Sequence, residues 1–214
     1  MDAVIATPIV ARKAVWGGIV RLIGALAITT LAAGCGDVAR QGTGSSYLII
    51  NALEASSGAS PGEFGTTLGS DVITIVDDIP TVFSDLGRVR LSLAMKDAGG
   101  ADSPTTPTSN NFITVNRYHV RFIRADGRNT PGVDVPYPFD GAITVTVRGG
   151  EAEAGFEIVR IQAKSEAPLA ALARNFVSIS TIAEVTFYGR DQTGREVSVT
   201  GNISVNFANF GDPN

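Results

Sequence analysis

The chain has 214 residues with 17 basic and 21 acidic side chains, one histidine and one cysteine, and its formal net charge is −4. Its basic residues are scattered along the sequence, which argues against nucleic acid as a partner, because nucleic-acid-binding proteins usually present a clustered basic face. One cysteine cannot form an internal disulfide, and one histidine with one cysteine cannot build a zinc site.

The amino-terminal segment has the order of a secretory signal. Arg12, Lys13 and Arg21 come before an apolar run that extends from Leu22 to Gly34. This run is shorter than the roughly 20 residues that a membrane-spanning helix needs. We therefore predict that residues 1–34 are a signal peptide that is removed from the mature protein.

The end of this run, LAAGC at residues 31–35, resembles the lipobox of bacterial lipoproteins. The resemblance implies that the Cys35 sulfur receives a diacylglyceryl group and that the chain is cut before Cys35. It also implies export and membrane anchoring through acyl chains, with the outer membrane favoured by Gly36 if the host has two membranes. The alternatives are an ordinary signal peptide that leaves Cys35 as a free thiol, and a cytosolic protein with an incidental apolar start.

Residues 35–46 are rich in glycine and polar side chains, which predicts a flexible tether. From Tyr47 onward, apolar and polar residues alternate with a period of two, as in half-buried strands. The predicted strands are 47–53, 71–77, 79–83, 87–97, 111–125, 141–148, 155–164, 181–190 and 195–208. Two runs, YLIINAL and DVITIVDD, are apolar on both parities, which predicts strands covered on both faces or strands that change sheets.

One short helix is predicted near 166–176. Ser165 can cap it, Pro168 lies within its first turn, and Leu169, Leu172 and Phe176 share one face. Many strands with one short helix predict an all-β chain, namely an immunoglobulin-like antiparallel β-sandwich of eight or nine strands. We expect a single domain over residues 47–210, followed by a tail at 211–214.

The last predicted strand, from Glu196 to Phe207, has the cleanest alternation in the chain. Its outward side chains carry no charge from Ser198 onward, so an exposed edge at this position would invite another chain to pair. We therefore predict an internal strand, joined to 181–190 through the turn Asp191–Gly194 and flanked on its other side by a second strand.

Three predicted loops, 54–70, 98–111 and 126–140, are longer than usual connections and are candidates for recognition. The third could supply oxygen ligands to calcium from Asp126, Asn129, Asp134 and Asp140. Aspartate and asparagine also bond to the backbone of their own turns, and we favour this second role.

The most specific enzyme signal is GASPG at residues 58–62, which matches the G-x-S-x-G pattern of serine hydrolases around Ser60. The pattern requires a strand before and a helix after the serine, and Pro61-Gly62 interrupts any helix there. His119 is the sole histidine, and no carboxylate next to it in sequence could orient it. A glycosidase pair could be drawn from Glu151, Glu153 and Glu157 or from Asp77 and Asp78, but we favour their interpretation as solvated surface carboxylates.

The sequence therefore predicts a lipid-anchored cell-envelope protein whose β-sandwich is a non-catalytic binding or structural module. Its partner would be an envelope protein or a glycan, besides the membrane that holds the acylated Cys35. We expect no catalytic, cofactor-binding or metal-binding residues. The alternative is a lipid-anchored hydrolase that uses Ser60 or a carboxylate pair.

Overall fold

The computed structural model describes residues 44–210 and consists mostly of β-strands. The described residues form twelve strands: β1 (Ser46–Ser56), β2 (Thr67–Asp71), β3 (Thr74–Val76), β4 (Ile79–Thr81), β5 (Asp85–Met95), β6 (Gly99–Gly100), β7 (Ser103–Pro104), β8 (Ile113–Ile123), β9 (Phe139–Val147), β10 (Ala152–Val159), β11 (Ile179–Asp191) and β12 (Glu196–Ala208). The helical segments are one short α-helix, α1 (Ile161–Ser165), and two 3₁₀ helices at Ser109–Asn111 and Leu169–Arg174.

Two sheets form the body of the fold. A three-stranded sheet has the order β1-β5-β10, and a five-stranded sheet has the order β2-β12-β11-β8-β9. Both sheets contribute apolar side chains to one shared core, in which Val89, Val120 and Val205 are fully buried. The predicted all-β, sandwich-like architecture is confirmed at this level, because the two sheets bury their facing sides against each other.

The strand β12 lies inside its sheet over Ser204–Ala208, as predicted, whereas Glu196–Ile203 pairs with β11 only. It pairs antiparallel with β11, from Ile179 opposite Phe207 to Arg190 opposite Glu196. On its other side it pairs with β2, and this pairing is parallel. The prediction of a wholly antiparallel sandwich is therefore wrong at this edge.

The mixed apolar parity of β1 has a local cause. Asn51 is an extra residue in the ladder with β5, because Ile50 pairs with Leu91 and Ala52 already pairs with the next residue, Arg90. A bulge of this kind moves the following side chains to the opposite face. Apolar residues on both parities therefore reflect a bulge in a strand with one buried face, and not burial on two faces.

The region around 155–176 differs from its prediction. The strand β10 ends at Val159, so the predicted strand end at 160–164 is wrong, and α1 follows. The predicted helix is replaced by the 3₁₀ helix Leu169–Arg174, which ends when Asn175 adopts an extended conformation. Leu169 and Leu172 are buried, but Phe176 lies beyond the helix and is fully exposed.

The predicted loops are partly structured. The loop 54–70 is shorter than predicted, because β1 continues to Ser56 and β2 begins at Thr67. The loop 98–111 contains the small β6–β7 hairpin and a 3₁₀ helix. The connection before β9 is the longest irregular segment, and its Phe139 enters the core whereas Tyr137 is exposed.

The register of the paired strands shows which strand ends lie together at each of the two ends of the sandwich. At the entry end, the Ser46 hydroxyl donates a hydrogen bond to the Asn111 carbonyl at 2.8 Å, and Asp191 terminates β11. At the far end, β5 begins beside the ends of β1 and β10, and Asp85 pairs with Val159 there. Most exposed large apolar side chains lie on the connections at the far end: Ile75, Val76, Ile79, Leu86, Val133, Tyr137, Ile161, Phe176, Val177 and Phe210.

Candidate functional site

An open cleft lies on the outer face of the five-stranded sheet, toward the entry end. Its volume is about 720 Å³. Three strands supply its lining, which consists of Asn116, Arg117, Tyr188, Gly189, Arg190, Glu196, Val197 and Ser198. We call this feature the Tyr188 cleft.

A β-bulge shapes the floor of the Tyr188 cleft. Tyr188 pairs with Arg117 and Gly189 pairs with Val115, which leaves Asn116 as an extra residue on β8. A Cβ atom at Gly189 would lie only 2.6 Å from the Thr114 carbonyl oxygen, so the close approach of the two strands requires glycine. Bulges re-aim side chains and often occur beside binding sites.

An arginine stacks on the central aromatic ring. The guanidinium carbon of Arg117 lies 3.9 Å from the centre of the Tyr188 ring. Arg117 also donates a 2.8 Å hydrogen bond to Asp140 on β9, which fixes the guanidinium in place. Arg190 and Glu196 form a 2.8 Å ion pair between β11 and β12 at the rim of the cleft.

The cleft therefore combines an aromatic ring with both hydrogen-bond donors and acceptors. Arg117 and Arg190 can only donate, Glu196 can only accept, and the Asn116 amide and Ser198 hydroxyl can do both. Ser198 already takes part in a further interaction within the protein. A ligand with many hydroxyl groups matches this lining, because each hydroxyl both donates and accepts and the ring can cover its apolar faces.

His119 has a carboxylate partner that the sequence did not reveal. It lies on the outer face of β8, and its Nδ1 is 3.4 Å from the Oδ1 of Asp140, which the register places directly opposite on β9. Ser60 lies elsewhere, in an exposed turn after β1 of the three-stranded sheet. The structure thus joins His119 to Asp140 and does not bring Ser60 to either of them.

The G-x-S-x-G pattern serves the turn in which it occurs. Gly58 donates its N–H to the Oδ1 of Asp85 at 2.9 Å, and a Cβ at Gly58 would lie 2.3 Å from the Ser84 carbonyl oxygen. Gly62 has a φ of 96°, a conformation that favours glycine. Both glycines therefore have a backbone reason to be present, independent of a nucleophile at Ser60.

The other carboxylates considered for catalysis are dispersed. Glu151 accepts a 2.8 Å hydrogen bond from Asn51, and Glu153 lies 4.0 Å from Arg88. Further along the same strand, the Glu157 N–H donates a hydrogen bond to the Tyr118 hydroxyl oxygen. Asp77 and Asp78 form the exposed turn of the β3–β4 hairpin, both with positive φ.

The oxygen-bearing residues of the connection before β9 satisfy the turn and nearby arginines. Asp126 accepts hydrogen bonds from Arg124 and Arg128, which hold the pKa of its carboxyl well below the usual range. Asn129 accepts from the Arg124 N–H at 2.6 Å, and Asp134 accepts from a backbone N–H at 3.1 Å. Over residues 44–210, no group of three or more histidine, cysteine, aspartate or glutamate side chains is arranged to hold a metal ion.

The predicted lipid-attachment residue Cys35, the signal peptide 1–34, most of the tether 35–46 and the tail 211–214 lie outside the described residues. Within the part that is described, none of the helices combines the length and the hydropathy that crossing a bilayer requires.

No family model, curated protein or solved structure significantly matches this chain.

Sequence reasoning did not identify Tyr188 and Arg117 as a pair. The sequence predicted the two strands that carry these residues, 111–125 and 181–190, but not that the two strands are neighbours. Their contact depends on the pairing of β8 with β11 and on the bulge at Asn116, and neither feature can be read from one strand alone.

Proposed function

We propose that this chain is a lipid-anchored cell-envelope protein whose β-sandwich, immunoglobulin-like in class, binds an envelope glycan in the Tyr188 cleft. The observation that supports this proposal is the Arg117–Tyr188 stack, at 3.9 Å, within an open cleft of mixed donors and acceptors. Anchoring rests on the lipobox resemblance at Cys35. The role that we propose is binding, without a catalytic step.

The test is a binding assay with membrane-extracted protein and two separate probes, purified peptidoglycan sacculi and purified lipopolysaccharide. Tyr188→Ala should weaken binding to the recognised probe by about tenfold or more, since buried aromatic anchors carry much of the affinity at binding sites. Arg117→Lys should also weaken it, because lysine retains the charge but loses the planar stack.

Tyr137→Ala is the matched control for these variants. Tyr137 is an exposed tyrosine at the far end, outside the Tyr188 cleft, and its replacement should leave binding unchanged. If neither probe binds, or if Tyr188→Ala and Tyr137→Ala behave alike, the glycan proposal is wrong.

A second candidate function is the capture of a protein partner at the far end. It is favoured by the exposed apolar side chains there, above all Phe176, which is fully exposed, and Ile79, which is 64% exposed. Monomeric proteins rarely concentrate such side chains in one region without a binding role. Replacing Phe176 and Ile79 by serine should abolish capture of an envelope protein and leave glycan binding intact.

A further inference from the structure

A lysine and an aspartate meet in the interior at the far end. The Nζ atom of Lys164, on α1, lies 2.8 Å from the Oδ1 of Asp85, at the start of β5. The exposed fractions of the two side chains are 1% and 0%. The two residues are 79 positions apart in the chain, so their contact ties α1 to the three-stranded sheet.

Two further groups hold the carboxyl of Asp85. The Gly58 N–H donates to Oδ1 at 2.9 Å, and the hydroxyl of Ser70 donates to Oδ2 at 2.6 Å. Ser70 is itself fully buried and comes from β2 of the other sheet. Both carboxyl oxygens of Asp85 thus accept hydrogen bonds from fixed donors, and the Lys164 nitrogen contacts one of them, Oδ1.

We propose that Lys164 and Asp85 condense to an intramolecular amide bond in the folded protein. The buried position favours this step, because a low-dielectric interior penalises the separated charges of the ion pair and excludes the water needed for hydrolysis. Because the fold already holds the two groups together, their reaction avoids the loss of entropy that a reaction between two free groups would incur.

The step balances without any co-reactant. One ammonium proton passes from Nζ to the carboxylate, which leaves a neutral amine and a neutral acid. The nitrogen lone pair then forms the Nζ–Cγ bond, and the Gly58 N–H stabilises the negative charge that develops on Oδ1. A second proton passes from the now positively charged Nζ through the Ser70 hydroxyl to Oδ2, which already carries the first proton. The Cγ–Oδ2 bond breaks, one water molecule leaves, and Oδ1 re-forms the carbonyl of the amide. Nothing is oxidised or reduced.

Such a bond would give this fold a covalent cross-link that cysteine chemistry cannot provide, since no cysteine occurs in residues 44–210. It would close a loop from β5 to α1 and connect the turn containing Gly58 with the segment between the sheets. Cross-links of long loops stabilise chiefly by restricting the unfolded chain.

Peptide mapping of the full chain tests the proposal. The folded wild-type protein is denatured and digested with trypsin, which cleaves after lysine and arginine. The cross-link predicts a joined species of residues 41–88 and 161–174 that lacks the mass of one water molecule, because acylated Lys164 resists cleavage. Recovery of the separate peptides 41–88 and 161–164 from the folded wild type would overturn the proposal, and the ion pair would then be the final state.

Variants separate the roles of the residues. Lys164→Arg retains the charge but cannot form the amide, so the joined species should be lost completely. Lys96→Arg, which changes the other lysine of residues 44–210, should retain it in full. Ser70→Ala should slow its appearance after synthesis on the order of 100-fold, the size expected for loss of a proton-transfer group. If Lys164→Arg does not fold, the digest of the wild type still decides.

Discussion

Single side chains at turns and in the core determine how this protein responds to pH. Asp191 closes the β11–β12 turn and accepts hydrogen bonds from the Thr193 hydroxyl at 2.7 Å and from the Arg195 N–H at 2.9 Å. Burial acts to raise the pKa of Asp191, but these hydrogen bonds outweigh it and hold the pKa below its usual value. The ionised carboxylate therefore stabilises the turn.

Replacing Asp191 with alanine should lower the free energy of unfolding by about 1–3 kcal/mol at neutral pH, because the turn loses hydrogen bonds to a charged acceptor. A lowered folded-state pKa contributes stability above the ordinary value near 3.9, and this contribution is lost as the pH falls through the folded pKa. Urea unfolding from pH 7 to pH 2 should show the wild type and the variant converging in acid. An equal difference at every pH would contradict the role of the ionised form.

Tyr118 provides the alkaline counterpart. It lies in a core cluster with Phe139, Phe156 and Phe187, and its hydroxyl oxygen accepts the Glu157 N–H at 3.2 Å. Burial is the main reason why the pKa of Tyr118 is raised. A raised folded-state pKa means that stability is complete below about pH 10 and is lost as the pH rises through the folded value.

Tyr118→Phe should cost about 1 kcal/mol at neutral pH, through the unpaired Glu157 N–H. It should also flatten the alkaline loss of stability, measured by urea unfolding between pH 8 and pH 11. A variant that remains as sensitive to alkali as the wild type would show that another group is responsible.

For single side chains, the sequence predicted which residues face outward, but it did not predict which side chains on other strands they contact. The alternation along β8 puts Tyr118 in the core and Arg117 and His119 on the outer face. The partner of His119, Asp140, belongs to a different strand, and the register between β8 and β9 brings the two together. Lys164 was assigned to a strand end, so its buried contact with Asp85 could not be anticipated.

The predicted strands agree with the structure where one face of the strand is clearly apolar. They differ from it where a strand contains a bulge or pairs in parallel at the edge of the sheet. In β11 and β12 every inward residue was predictable, because the ladder that joins these two strands has no register shift. In β1 the bulge at Asn51 mixed the parities. Four of the five residues of β2, 67–70, were predicted to be loop, because their pairing with β12 is a tertiary property that overrides local pattern.

Val205 tests the internal position of β12. Its side chain is fully buried, and the strand has neighbours on both sides. Val205→Asp should cost several kcal/mol and unfold the domain, because it buries a carboxylate without a partner. Asn206→Asp, on the outward side of the same strand, should be far less damaging.

Hydrogen exchange checks the same position without a mutation. Amides from 197 to 207 should be among the slowest in the wild-type protein, because those of central strands open only in global unfolding. Fast exchange that slowed only on addition of envelope extract would indicate that β12 pairs with a partner instead.

For the whole molecule, anchoring at Cys35 is the central expectation. The intact mass of membrane-extracted protein should show loss of residues 1–34 and the addition of acyl chains. Two or three chains anchor firmly, whereas one holds only marginally. Cys35→Ala should leave the protein unprocessed or in the soluble fraction, and Cys35→Ser is the matched variant of nearly equal size. An unmodified thiol on the mature protein would exclude lipid attachment.

The position of β1 gives such an anchor a mechanical consequence. The chain enters the sandwich at Ser46, and β1 then runs along β5 for its whole length, from Ser46 opposite Met95 to Ser56 opposite Leu86. A pull that such an anchor exerted along this strand would load the β1–β5 hydrogen bonds together in shear instead of opening them one at a time. A glycan held in the Tyr188 cleft would supply the opposing load through the other sheet. The protein would then yield only when many bonds fail at once, which suits a link between a membrane and the material beside it.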